Sequence, residues 1–277
     1  KSGVKGYSIA AMIASSNGWR HGMDLTTEEN QQIFDMWSPK KIIGYAHQLM
    51  DAIRIRKDIL YCAQNKLYIA KELFFKYNNL KTIFFSQSTD FADMLAYIIN
   101  EYHKKQTGLN NKICVSYHSK IQTEIRIDSV TGKEKKFGKK KLMDEAINGL
   151  KDGTFRGLSA SSALDKGLNV RDIRLGITTS GTQNPTQYFQ RKGRTVRVDI
   201  EEDIIKLVIN VYAENTKDED WLRNRQKKVK SIVYWCDDIN DINYSSLRTM
   251  IRNGINIHIA IFKLKNSYGR SSANKRA

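Results

Sequence analysis

The stretch Lys81–Tyr102, KTIFFSQSTDFADMLAYIINEY, decides how this chain folds. Thr82–Phe85 is a short apolar run of β-branched and aromatic residues, the composition of a strand buried on both faces. Ser86–Thr89 is a polar turn, and Asp90–Tyr102 then reads as a helix. A buried strand followed at once by a helix is the repeating unit of an α/β protein.

Working outward, the unit recurs. KICVSY (Lys112–Tyr117) is a second strand, and Lys139–Leu150 is a helix ended by Gly153. A short strand near Leu158 leads through a Ser-rich loop and a brief helix to a strand at Arg174–Thr179. QYFQRKGRTVR (Gln187–Arg197) lies on its own helix, and DIIKLVINVYAEN (Asp203–Asn215) reads as strand. Upstream, Tyr45–Tyr77 is helical and free of Pro and Gly, while the first forty residues, closed by Pro39, have no strong periodicity. Between the second strand and its helix, KIQTEIRIDSVTGKEKKFGKKK (Lys120–Lys141) alternates at Ile121, Ile125 and Ile127 and carries the turn-like SVTGKE. That predicts a β-hairpin bearing Lys133, Lys135, Lys136, Lys139, Lys140 and Lys141. A second basic cluster is WLRNRQKKVK (Trp221–Lys230). The expected fold is α/β: a mainly parallel sheet flanked by helices, with a hairpin insertion at about 120–140 and no internal repeat.

The 277 residues are 40% hydrophobic, 10% aromatic and 27% charged, the make-up of a soluble globular protein. Charge is the outlier. Forty-six Lys and Arg against twenty-nine Asp and Glu give +17 and a pI near 9.7, which favours a polyanionic partner. No apolar run approaches the roughly 18 residues of a membrane span, so nucleic acid is preferred to lipid. Cys62, Cys114 and Cys236 are far apart, form no CxxC pair and do not cluster with the five histidines. No zinc framework is visible, and buried or inert thiols in a reducing, cytoplasmic compartment are expected. No secretory signal is present, and a chain starting at Lys1 is expected to be one portion of a longer polypeptide.

Arg191, Arg194 and Arg197 recur at intervals of three, fanning over roughly a third of a helix. Like charges so placed repel and need an anion or solvent opposite them. Gly193 costs such a helix about 1 kcal/mol against alanine unless something approaches its backbone. A polyanion explains both features, and a solvated basic face is the alternative.

Three blocks in order, TIFFSQSTDFADML, LSASSALDKGLNV and QYFQRKGRTVR, resemble motifs IV, V and VI of superfamily 2 helicases, in the second RecA-like lobe. LKDGTF (Leu150–Phe155) also resembles that family's lead into motif V. The resemblance covers Tyr45–Tyr212, about three fifths of the chain. It implies residues 1–44 as a lead-in from between the lobes, 45–212 as the RecA-like lobe and 213–277 as an extension; the last eighty residues are taken to complete the lobe and add a small helical extension with a basic tail. The tail YAENTKDEDWLRNRQ (Tyr212–Gln226) resembles phage-encoded DNA helicases of the branch-migration and repair type, which implies a host-cell cytoplasm.

The resemblance also implies roles. ATP with Mg²⁺ lies between two lobes, and Arg194 and Arg197 would be arginine fingers, with Gln190 and Arg191 positioning the motif. Gly167 falls on the family's glycine. Asn169 stands in place of an aspartate that approaches the ribose, and Arg171 in place of a common proline. Ser161 falls where a threonine touches a nucleic-acid phosphate, and Ser86, Gln87 and His118 would lie near the backbone. Lys135, Lys136, Lys139 and Lys140 of the hairpin would contact DNA duplex, with RNA not excluded. No GxxxxGK[ST] loop is present. Asp144 and Glu145 sit inside a helix as solvated charge, and Asp237 and Asp238 are expected to cap or turn. The metal and triphosphate would therefore be held mainly by a first lobe outside this chain, and the chain alone would hydrolyse little or no ATP. Two alternatives are a non-hydrolysing nucleic-acid-binding module of RecA-like shape and a translocating nuclease subunit.

Overall fold

The computed structural model describes residues 2–127, 132–161, 173–181, 186, 190, 207–227, 232–236, 238–242 and 257–264. Its contacts divide the chain into two units, Lys1–Ile59 and Leu60–Ala277.

The first unit is helical: α1 (Ser2–Ser16), α2 (Glu28–Trp37) and most of α3 (Pro39–Tyr61). Thr27 caps α2 by accepting from Asn30 N–H, and Glu28 and Glu29 complement the helix dipole. Pro39 opens α3, where its missing N–H costs nothing. These helices lie in the stretch whose sequence lacks periodicity, because Gly, Ser and Ala fill much of α1 and leave no polar–apolar stripe to read. Position 45, where the lobe was expected to start, falls inside α3.

The second unit opens with α4 (Gln64–Lys76). The helix expected over 45–77 is thus two helices, interrupted at Cys62–Ala63, where Ala63 is extended and offers no side-chain cap. The interruption accompanies Lys66, which is wholly buried against Asp218, 152 residues away, at 2.5 Å. A long-range ion pair leaves no mark in local periodicity.

Seven strands follow: β1 (Thr82–Ser86), β2 (Cys114–Tyr117), β5 (Gly157–Ser161), β6 (Leu175–Thr178), β7 (Leu207–Ala213), β8 (Ile232–Cys236) and β9 (Ile257–Leu264). They form one sheet in the order β2-β5-β1-β6-β7-β9-β8, and every pairing is parallel. β3 (Glu124–Ile127) and β4 (Glu134–Phe137) pair antiparallel as the expected hairpin. Among the described residues the connecting helices are α5 (Thr89–Thr107), α6 (Lys139–Asp152) and α7 (Lys217–Gln226). The segment after Ala213, expected to complete the lobe and add a small helical extension, supplies α7 and two strands of the same sheet.

β1, β5, β6 and β7 are buried at every position, as parallel strands covered on both faces must be. Alternation sorts their side chains into two cores. Phe84, Ile177 and Ile209 pack with Leu73, Phe74, Phe91 and Leu95 of α4 and α5. Ile83, Phe85, Leu158 and Ala160 pack with Ala146 and Leu150 of α6. Ser88 caps α5 and Gly108 ends it in the left-handed conformation. Asn100 closes the outer edge of β2, accepting from the N–H groups of Ile113 and Cys114 and donating to Cys114 C=O. Cys114 is buried, and desolvation pushes its thiol up to about 12. Cys236 is buried too, whereas Cys62 is exposed, and all three are free thiols.

Candidate nucleic-acid interface

Parallel strands all point one way, so the loops after their carboxyl ends gather along a single edge. On this edge β1 ends in Ser86-Gln87, β5 in Ser161, β6 in Thr178-Thr179-Ser180, and β2 in Tyr117-His118. The register places Ser86 directly opposite Ser161. One step back, Tyr117, Ala160, Phe85 and Thr178 form a single row. One step forward, His118, Ser161, Ser86 and Thr179 share the opposite face, on the side of α5. Three residues singled out from separate stretches of sequence therefore stand side by side.

Each is held by the fold. Ser86 Oγ lies 2.9 Å from Ser88 C=O and 3.2 Å from Ala160 C=O, and the residue is 1% exposed. Gln87 N–H donates to Ser180 Oγ at 2.8 Å, tying the β1 turn to the β6 turn. Thr179 N–H donates to Phe85 C=O at 3.0 Å. His118 Nδ1 accepts from Lys120 N–H at 3.2 Å, so in the neutral ring the proton sits on Nε2, which donates to Asp93 Oδ1 at 2.8 Å. His118, Lys120 and Asp93 line an open cleft of about 940 Å³ that also reaches Arg126 of the hairpin.

The buried hydroxyls and imidazole fix the turns rather than project from them. Among the described residues, half-buried Gln87 and exposed Ser119 and Lys120 are what this edge offers to a partner. Thr179 and Ser180 were missed as members of this edge. The run of hydroxyls in LGITTS was the available signal, but strand register was needed to give it meaning. Lys135 and Lys136 lie exposed on β4, and Lys139 and Lys140 lie exposed in the first turn of α6.

Gln190 is exposed in helical backbone. Arg191, Gly193, Arg194 and Arg197 lie outside the described residues, as do Gly167, Asn169 and Arg171. Asp144 and Glu145 fall inside α6. Asp238 caps a 3₁₀ turn with Asp241 in a reciprocal capping box, the capping role expected of it, while Asp237 lies outside the described residues. Among the described residues no group of His, Cys, Asp or Glu is arranged to hold a metal ion. No described helix is long and apolar enough to cross a membrane.

Residues 65–199 match the family profile of the helicase conserved C-terminal domain. The match spans just under half of the chain, and the parallel sheet with its flanking helices is the RecA-like α/β architecture expected from the sequence. The chain is similar to the DNA 3'-5' translocase XPB2 of Sulfurisphaera tokodaii, 26% identical over 165 residues, which are 60% of this chain and 30% of that protein. Among solved structures it is similar to the helicase MrfA bound to DNA and AMPPNP, at 22% identity and a TM-score of 0.44, over 58% of this chain and 19% of that one. It is also similar to a DEAD box protein from Methanococcus jannaschii, at 16% identity and a TM-score of 0.44, over 72% of this chain and 39% of that one. The chain thus spans less than a third of the curated relative's length.

Proposed function

We propose that the chain is the second motor lobe of an ATP-dependent DNA helicase or translocase. The observation that carries this reading is the match over 65–199, which takes in both the β1 turn and the arginine block at 187–197. The row of turns at the carboxyl edge supports a track that holds a strand by its backbone, through contacts that position without reading sequence. The net charge of +17 supports the same polyanionic partner. Similarity to a translocase supports DNA over RNA. The tail Tyr212–Gln226 supports placing it near phage-encoded branch-migration helicases.

In this reading Arg194 and Arg197 present planar guanidinium groups to phosphates bound on a first lobe. There they stabilise the charge that develops during transfer, an effect of about 10³–10⁵ in rate in other nucleotide hydrolases. Gln190 and Arg191 position that helix, Gly193 permits its close approach, and Gly167 and Asn169 face the nucleotide. The described residues offer no ligand set for Mg²⁺, so no step is assigned to a metal in this chain.

The test is the ATPase rate of the full-length protein with and without DNA, beside Arg194→Ala and Arg197→Ala. DNA stimulation that either substitution abolishes, with ATP still bound, is the expected result. Hydrolysis that is absent in the wild type, or indifferent to both substitutions, would replace this reading with that of a non-hydrolysing nucleic-acid-binding module.

A further inference from the structure

The buried stripe of α7 runs through Asp218, Trp221, Leu222 and Arg225, at the spacing where an amphipathic helix usually carries apolar side chains. Asp218 is explained by its pairing with Lys66 and by Ala213 N–H. Arg225 lies two turns further along and is 4% exposed. Burying a guanidinium carries a desolvation cost, so its place in the fold calls for a physical reason.

Gly181 supplies that reason. It follows Thr178-Thr179-Ser180 at the carboxyl end of β6 and is itself buried. A Cβ on Gly181 would overlap Arg225 Nη1 and lie 2.9 Å from Cζ and 3.2 Å from Nη2. The guanidinium thus fills the space in which any other residue would carry its side chain. Gly181 is not in the left-handed region, so close approach, and not backbone conformation, is what calls for glycine there. With both residues buried, the arginine has little room to swing aside.

The same turn is fastened to β1. Ser180 Oγ accepts Gln87 N–H at 2.8 Å, and Thr179 N–H donates to Phe85 C=O at 3.0 Å. A continuous line of packed and hydrogen-bonded groups therefore runs from Arg225 through Gly181 and Ser180 to half-buried Gln87. At its far end the line is anchored, because Asp218 holds the first turn of α7 against Lys66 of α4. We propose that Arg225 is a positioning residue for the nucleic-acid edge: its guanidinium sets the β6 turn, and Ser180 passes that placement to Gln87, which meets the strand. This rests on the nucleic-acid reading above. It adds to that reading a contribution from α7, which lies beyond the matched residues 65–199.

The test is fluorescence anisotropy of the chain on a labelled single-stranded thymidine oligonucleotide, with melting curves alongside, for Ser180→Ala, Arg225→Ala and the two combined. At a temperature where each variant is folded, either substitution should weaken binding about three- to ten-fold, the size of one net hydrogen bond. The double variant should bind no more weakly than Arg225→Ala alone. The salt slope should stay as in the wild type, because a buried arginine releases no counterion. If Arg225→Ala does not fold, Arg225→Lys takes its place, keeping stem and charge without the planar group. Gly181→Ala should lower the melting temperature of the wild type and have much less effect once Arg225 is alanine. Unchanged affinity in both single variants, or effects that multiply in the double, overturns the assignment and leaves the nucleic-acid reading in place. A salt slope lowered by about one in Arg225→Ala would make the arginine a direct phosphate contact and would also overturn it. A wild type that does not bind the oligonucleotide overturns the nucleic-acid reading itself.

Discussion

Replacing Asp218 by alanine should produce a loss of stability that shrinks as the pH rises. Lys66 is wholly buried and Asp218 2% exposed, with Nζ and Oδ2 2.5 Å apart. The same oxygen accepts Ala213 N–H at 3.0 Å. Burial, opposed by the pull of Asp218, already holds the Lys66 ammonium below its ordinary value. Breaking a buried pair by removing one partner costs about 3–5 kcal/mol. Lysine has an escape, which is to lose its proton. From an ordinary value of 10.5, deprotonation costs about 5 kcal/mol at pH 7 and about 1.4 kcal/mol less for each unit above it.

The sign follows from proton counting. In the variant the folded value falls further, so between it and 10.5 the unfolded chain binds more protons, and stability rises with pH. The wild type keeps Lys66 charged over more of that range, so a deficit of about 3–5 kcal/mol at pH 7 should shrink as the pH rises towards 9. Urea unfolding followed by circular dichroism at pH 7, 8 and 9 measures it. If the variant is unfolded at pH 7, its folded fraction should recover towards pH 9. The double variant Lys66→Met/Asp218→Leu, which removes both charges, should lie within about 1–2 kcal/mol of the wild type. A deficit below about 1 kcal/mol at pH 7, or one that does not change with pH, would refute the reasoning.

Two further outcomes follow from the geometry. A Cβ on Gly157 would lie 2.9 Å from both Cys114 Sγ and Phe74 Cε2, inside the core, so Gly157→Ala should cost about 1–3 kcal/mol. Gly44→Ala, within α3 and with open space around it, should instead gain about 0.5–1 kcal/mol, and thermal melts that ranked the two the other way would contradict both assignments. The hydrogen bond from Arg126 holds the Glu124 carboxylate below its ordinary 4.5, so its contribution is complete above that value and is lost as the pH falls through the lowered one. Amide exchange, corrected for its intrinsic rate, should then quicken in β3 and β4 relative to β1 only below pH 4.5. A constant ratio through that window would remove Glu124 from the hairpin's anchor.

The sequence alone determined the sheet-forming units as far as Ala213. Thr82–Phe85 could be read as a strand because it is apolar at successive positions, and Asp90–Tyr102 as a helix because its apolar residues recur at helical spacing. The hairpin was legible from alternation about a turn, and the family resemblance from three ordered blocks that fall within residues 65–199. These signals are local, carried by neighbours along the chain. Tertiary structure decided what depends on distant partners. It interrupted the helix at Cys62–Ala63, upstream of the Lys66–Asp218 pair, and it drew the segment after Ala213 into the sheet as β8 and β9. It also set Ser86 opposite Ser161, with Thr179 and His118 in the same row, because parallel register fixes which strand ends meet. Finally, it turned Ile125 and Ile127 outward by rooting the other hairpin face on α6 through Arg126 and Glu145. Alternation in the sequence showed that the hairpin has two faces. Which of them the protein would leave open was settled by an ion pair formed across nineteen residues.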